Sequence, residues 1–355
     1  MISINSGIVK KIISKRNAIT FVEVELEGEI TKAVNYDHIS GEIKVGDKVY
    51  INETAKKLNL GTGGYDFILL NTRYHKLDLK GNGHIMKLRY TPVQINVLSV
   101  EEQDSPYHET FNNFKSLDGI PVIIGELHSM VAPASIVLKH LKTDIKIAYI
   151  MTDSASIPIS FSNTVYYLKK EGIINETITI GHAFGGDYEA VNIYTALICA
   201  KEIIKADVII VAMGPGIVGT GTKYGFTGID QGYYIDAVNK LGGNPILIPR
   251  ISFSDKRERH MGISHHTITV LEVCNSNCTL TFPVMEKNMM EIVNKQIQNN
   301  PVFKKFNKVF IDASITNDYL KNCRIKITTM GRDYSLEKEF FNACGAAAIY
   351  CNTLF

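Results

Sequence analysis

The chain has 355 residues, 45% of them hydrophobic and 21% charged, with a net charge of +2. That length supplies a sizeable core and room for two domains; the composition excludes a disordered chain, and the charge excludes a broad electrostatic footprint for nucleic acid. No apolar run approaches the roughly 18 residues of a membrane span, the opening "MISINSGIVKKIISKRN" lacks the apolar centre of a secretory signal, and six cysteines without framework spacing read as reduced thiols of a cytoplasmic protein.

Residues 1–100 read as short alternating strands, as in "ITFVEVELEG" and "KVGDKVYIN", and predict a small β-barrel or sandwich domain. Two glycine-rich segments, residues 58–67 and 81–92, interrupt it, and the polar stretch 101–118 reads as a linker. From residue 119 apolar strands alternate with amphipathic helices. "IPVIIG" precedes a helix from about Ser129 to Leu141, and "IKIAYI" precedes one near residues 160–171, opened by Ser160 or Ser162. "TITIGH" precedes a long helical pattern over 188–205 that Asp187 could cap. "DVIIVAM" leads into a glycine-rich loop and a helix beginning near Gly228, and "PILIPR" is a fifth strand. Continuously apolar strands alternating with helices predict an α/β domain over 119–355: a Rossmann-like, mostly parallel sheet with helices on both faces. Beyond His265 the segments "TITVLEV" and "TLTF" read as a hairpin around "CNSNC", followed by a helix at 284–299, strand-like "KVFIDA" and "RIKITT", and a last helix near 334–350.

In an open parallel sheet ligands bind beyond the carboxyl ends of the strands. Five successive strand ends here deliver glycines or ionisable groups, among them Glu126, His128, Asp153, His182, Asp187, Arg250, Asp255 and His260. The segment "SDKRERHMGISHHT" adds Arg257 and Arg259 for bidentate anion recognition and His265 and His266 for proton transfer or ligation. Read as a strand, adjacent His265 and His266 should face opposite ways, so that at most one enters a site. The loop "GPGIVGTGT" matches G-x-G-x-x-G, but no helix opens within it and no acidic residue ends the next strand. Those departures argue against NAD(P) and leave a loop for phosphate, carboxylate or an oxyanion, built on Gly214, Gly216, Gly219, Thr220, Gly221 and Thr222. A divalent metal is compatible with Glu126 and His128 as ligands, although no diagnostic spacing such as H-E-x-x-H supports it. The pair Cys274 and Cys278 reads as ordinary thiols.

The strings "LNLGTGGYDF", "GHIMKLRYTP", "GELHSM", "GHAFGGDYEAVN", "AMGPGIVGTGT" and "RISFSDKRERHMGISHHT" together make the chain resemble an uncharacterised bacterial family, a domain of unknown function, over nearly its whole length. The resemblance carries no activity, substrate or catalytic residue with it. The residues themselves lead to the expectation of a hydrolase or group transferase for a small anionic or phosphorylated substrate. Arg257, Arg259, His265 and the glycine loop would hold the anion. His182 or His260 would serve as general acid or base, with Asp153 or Asp187 orienting it or holding a metal. The alternatives are a non-catalytic sensor of a small ligand, or RNA or protein binding through the β domain by way of Lys87, Arg89 and Tyr90. A homo-oligomer is compatible with the sequence.

Overall fold

The computed structural model describes residues 1–61, 63–78 and 81–355, so Thr62 of the glycine-rich segment 58–67 lies outside the described residues. The chain forms two compact units, Met1–Val97 and Leu98–Phe355.

In the first unit β1 (Ile4–Arg16), β2 (Ile19–Leu26), β3 (Glu29–Tyr36), β4 (Lys48–Asn52) and β5 (Asp66–Asn71) close into a barrel in the order β1-β2-β3-β5-β4. Antiparallel pairing of β1 with β4 seals it, and β3 runs parallel to β5. Alternation along the strands turns Val9, Val22, Val24, Ala33, Val49, Ile51 and Ile68 inward. A small hairpin, β6 (Ile85–Lys87) with β7 (Ile95–Val97), completes the unit.

The second unit is built on β8 (Pro121–Gly125), β9 (Ile147–Thr152), β10 (Glu176–Thr179), β11 (Tyr188–Glu189), β12 (Val208–Met213) and β13 (Asn244–Leu247). A short antiparallel pair, β14 (Ile251–Ser252) and β15 (Gly262–Ile263), leaves the sheet, which β16 (Thr279–Pro283) and β17 (Asn307–Ile311) extend. The order is β11-β10-β9-β12-β8-β13-β16-β17, parallel throughout. Every residue of β8, β9 and β12 is buried, which is why those strands carry no polar alternation. Helices Val131–Leu141, Asn163–Lys170 and Lys338–Asn352 pack as one layer, and Ile193–Ile198, Gln231–Lys240 and His265–Val273 as another. The connection leaving β8 runs to β9 on one side, while that leaving β12 runs to β13 on the other. Adjacent strands with opposed exits mark the place where an α/β sheet opens a crevice.

Four expectations differ from what the chain does. The segment 101–118 is part of the second unit: Val191 N donates to Glu101 Oε1 at 2.8 Å, Leu117 N donates to Leu241 O at 2.7 Å, and the Leu117 side chain is buried. The pattern over 188–205 opens as strand β11, and the helix starts only at Ile193, where Asn192 accepts from Tyr194 N and Thr195 N. "RIKITT" pairs with no neighbour as a strand. Most consequential, "HHTITVLEV" is a helix, His265–Val273, capped by Ser264, whose Oγ accepts from His266 N at 3.2 Å. The β-branched run costs this helix at most about 0.7 kcal/mol per residue. Full burial of Val270 and Leu271 returns roughly 1.5–3 kcal/mol each. Packing therefore overrides local preference.

Candidate functional site

β12, β8 and β13 are neighbours, so the loops leaving their carboxyl ends converge. Glu126, directly after β8, is buried, and its Oε1 accepts from His266 Nδ1 at 2.5 Å and from Arg250 Nη1 at 3.1 Å. Arg250 Nη1 also lies 3.3 Å from His266 Nδ1. One nitrogen cannot donate to the carboxylate and accept from the guanidinium at once, so the short contact assigns the Nδ1 proton to Glu126 and both donors to Oε1. Burial pushes the Glu126 carboxyl up, but the His266 hydrogen bond and the Arg250 charge more than offset it, and the group is held below its ordinary value of 4.5. Phe226 fixes the plane of the His266 ring by stacking on it at 3.8 Å with 1° between the planes. Gly228 makes the arrangement possible, because a Cβ there would stand 2.6 Å from Glu126 Cγ.

Above this buried triad opens a cleft of about 190 Å³, lined by Ile217, Gly219, Gly221, Arg250, Arg257, Arg259, His260, His266 and Met330. Its charges are not equivalent. Arg250 is balanced by Glu126, and Arg257 by Asp255, which it grips through Nε at 2.9 Å and Nη2 at 2.6 Å. That grip, working against burial, holds the Asp255 carboxyl far below the usual range. Arg259 is exposed and has no ion pair among the described residues, so it supplies the cleft's uncompensated positive charge. His260 is 2% exposed, with Nδ1 2.7 Å from Ser264 Oγ. Burial, then the charges of Arg250 and Arg257, push its pKa down to about 3. Burial and the neighbouring His266 and Arg259 push His265 down to about 4. Both rings are therefore neutral at pH 7 and keep a nitrogen lone pair.

The expected site residues divide sharply. Glu126, Gly219, Gly221, Arg257, Arg259, His260 and His265 meet around the cleft. Thr220 and Thr222 belong to the same loop, but their hydroxyls bond each other at 2.9 Å and the Gly225 backbone, closing the turn on itself. Gly214 and Gly216 approach Met151 and Ala155, on the β9 side. His128 has both nitrogens engaged, Nε2 at 2.7 Å from Ser162 Oγ and Nδ1 at 3.2 Å from the Tyr149 hydroxyl and Met213 O, so no lone pair remains for a metal. Asp153 accepts from His182 N at 2.9 Å and closes the turn after β10. These two residues end strands three and four positions from β13, roughly 14 and 19 Å away at about 4.8 Å per strand. Asp187 is remote from the carboxyl edge: the chain has doubled back, and its Oδ2 binds Lys169 Nζ at 2.6 Å and Thr177 N at 2.8 Å, at the start of β10. Asp187→Ala should lower unfolding stability by about 1 kcal/mol in a urea titration and leave anion affinity in the cleft unchanged.

His266 is the member that a strand reading excludes. Ser264 at a cap position, with Ile268 and Leu271 at helical spacing beyond it, is the signal that places both histidines on the first turn of a helix.

Residues 32–348 match the model of the family described as "Protein of unknown function (DUF3866)". The chain belongs to that family. None of the curated proteins compared with it matches. The match takes in every strand of the second unit and every side chain around the cleft. Among the described residues no helix is long and apolar enough to cross a membrane.

Proposed function

We propose that the chain is an enzyme, a hydrolase or group transferase, acting on a small anionic substrate such as a phosphate ester in the cleft beyond β12, β8 and β13. The observation that carries this reading is the lining: three guanidinium groups, of which only two have carboxylate partners, beside the neutral ring of His260. Arg259 and the unengaged Nη1 edge of Arg257 hold the anion by charge-assisted hydrogen bonds. Gly219 and Gly221 keep the facing wall bare of side chains. His260 acts as the general base. Burial first, then Arg250 and Arg257, hold its pKa down, and a bound anion, screening those two charges, raises it from that low value.

Inorganic phosphate and a panel of phosphomonoesters should raise the melting temperature of the protein. Arg259→Ala should weaken phosphate binding by roughly 10-fold or more, the worth of one charge-assisted hydrogen bond. No thermal response to any anion, or an Arg259→Ala variant that binds as tightly as the parent, would overturn the reading. Binding without turnover of any ester would make the cleft a ligand sensor.

A further inference from the structure

We propose that His260, His265 and His266 form a site for one divalent first-row transition metal, of the zinc class, on the wall of the cleft. One ligand atom from each residue can be chosen so that all three lie within 4.8 Å of one another. The ring centroids are 5.0, 5.0 and 4.4 Å apart. Tetrahedral coordination at about 2.0–2.1 Å needs nitrogens roughly 3.4 Å apart. For the atoms so chosen no pair need close by more than about 1.4 Å, and because Phe226 and Glu126 hold the His266 ring, that movement falls to His260 and His265.

Three further observations point the same way. His266 donates its Nδ1 proton to buried Glu126, the carboxylate–histidine pairing that fixes a ligating ring and leaves Nε2 for the metal. His260 is anchored at Nδ1 by Ser264 Oγ, which equally leaves Nε2 outward. His265 Nε2 is buried with no hydrogen-bond partner, and an orphaned buried nitrogen calls for a ligand. Imidazole ligands select zinc, copper, nickel or cobalt over magnesium or calcium, which want oxygen. Three protein ligands leave a coordination position open, and since His260 and His266 both line the cleft, that position faces it. The local charge is manageable, because Arg250 and Arg257 each have a carboxylate and only Arg259 opposes a cation. An anion in the cleft offsets Arg259, so metal and anion should each strengthen the other's binding. The site stands without the catalytic reading and, when occupied, takes His260 out of the general-base role, because its Nδ1 is bonded to Ser264 and its Nε2 would be a ligand.

The test uses the full chain, stripped with a chelator and dialysed against micromolar Zn²⁺, with Co²⁺ as a spectroscopic probe. One equivalent of zinc per chain is expected, with visible Co²⁺ absorption of tetrahedral intensity. His260→Gln and His265→Gln should each weaken zinc binding by more than roughly 100-fold, because even partners outside the coordination shell are worth about 10–100-fold. His75→Ala, exposed on the first unit, should bind as the parent does. Circular dichroism of the stripped variants separates lost ligation from lost folding, and the parent's stoichiometry and cobalt spectrum need no variant at all. Stoichiometry near zero, or zinc affinity unchanged in both glutamine variants, overturns the site. A stripped protein that responds to phosphate yet binds no zinc refutes the metal and leaves the anion reading standing; zinc binding without any anion response does the reverse.

Discussion

Glu126→Gln should cost about 3–5 kcal/mol of unfolding free energy at pH 7, the range for removing one partner of a buried ion pair. The Glu126 and Arg250 side chains are 1% and 6% exposed, so a neutral amide leaves the guanidinium charged, dry and unpaired. The amide oxygen can still accept from both Arg250 and His266, as Oε1 does, but without the charge, and the amide nitrogen that replaces the unbonded Oε2 becomes a buried donor with no acceptor. The pH dependence gives the effect a signature. Glu126 is held below 4.5 in the folded state, so its contribution is complete above that value and is lost as pH falls through the folded pKa. The histidines act in a different window. His260 at about 3 and His265 at about 4 lie below their ordinary 6.5, so the unfolded chain takes up protons first and stability declines as pH drops from 6.5 toward those values. Parent and variant should both weaken between pH 6.5 and 4.5, and the gap between them should close only below 4.5. Urea titrations across that range test this; a gap under about 1 kcal/mol at pH 7, or one that persists unchanged to pH 3, would show that the buried pair does not act as described.

The alternation of apolar strands with helices was legible because complete burial leaves β8, β9 and β12 without a polar residue among them apart from Tyr149 and Thr152. Strand ends were legible for the same reason, and with them Glu126, Arg250 and the 254–267 loop. Which ends meet was not, because sheet order is a long-range property: β12 inserts between β9 and β8 and thereby moves Asp153 and His182 away from His260. Chain reversal moved Asp187 further still, to the amino end of β10. The histidine pair failed locally. Thr267, Ile268, Thr269 and Val270 favour a strand by propensity, and only the Ser264 cap and the burial of the helix's inner face decide otherwise. That one error hid a three-histidine cluster, since a strand sends neighbouring side chains apart and a helix turns them by about 100°.

Gly228→Ala carries the second large effect, through a residue that touches no ligand. The glycine follows Thr227 in the 3-10 turn before the Gln231–Lys240 helix, and its backbone passes over Glu126 so closely that a methyl group would stand 2.6 Å from Cγ and 3.3 Å from Oε1. A flexible, exposed side chain would swing aside at little cost. Glu126 cannot, because Arg250 and His266 grip its oxygen from the far side and it is fully buried. The backbone is pinned too: Gly228 O accepts from Gln231 Nε2 at 3.0 Å. Either the turn lifts or the carboxylate retreats, and overpacking of this kind costs about 1–3 kcal/mol. If the carboxylate retreats, its contacts with Arg250 and His266 lengthen and its pKa moves back toward 4.5, so the variant should lose less stability than the parent below that pH. A double-mutant cycle with Glu126→Gln distinguishes the two responses. Retreat of the carboxylate makes the combined loss smaller than the sum of the single losses, because both substitutions weaken the same pair. Strict additivity would place the damage in the turn alone, and a Gly228→Ala protein as stable as the parent would show that the close approach over Glu126 is not a constraint.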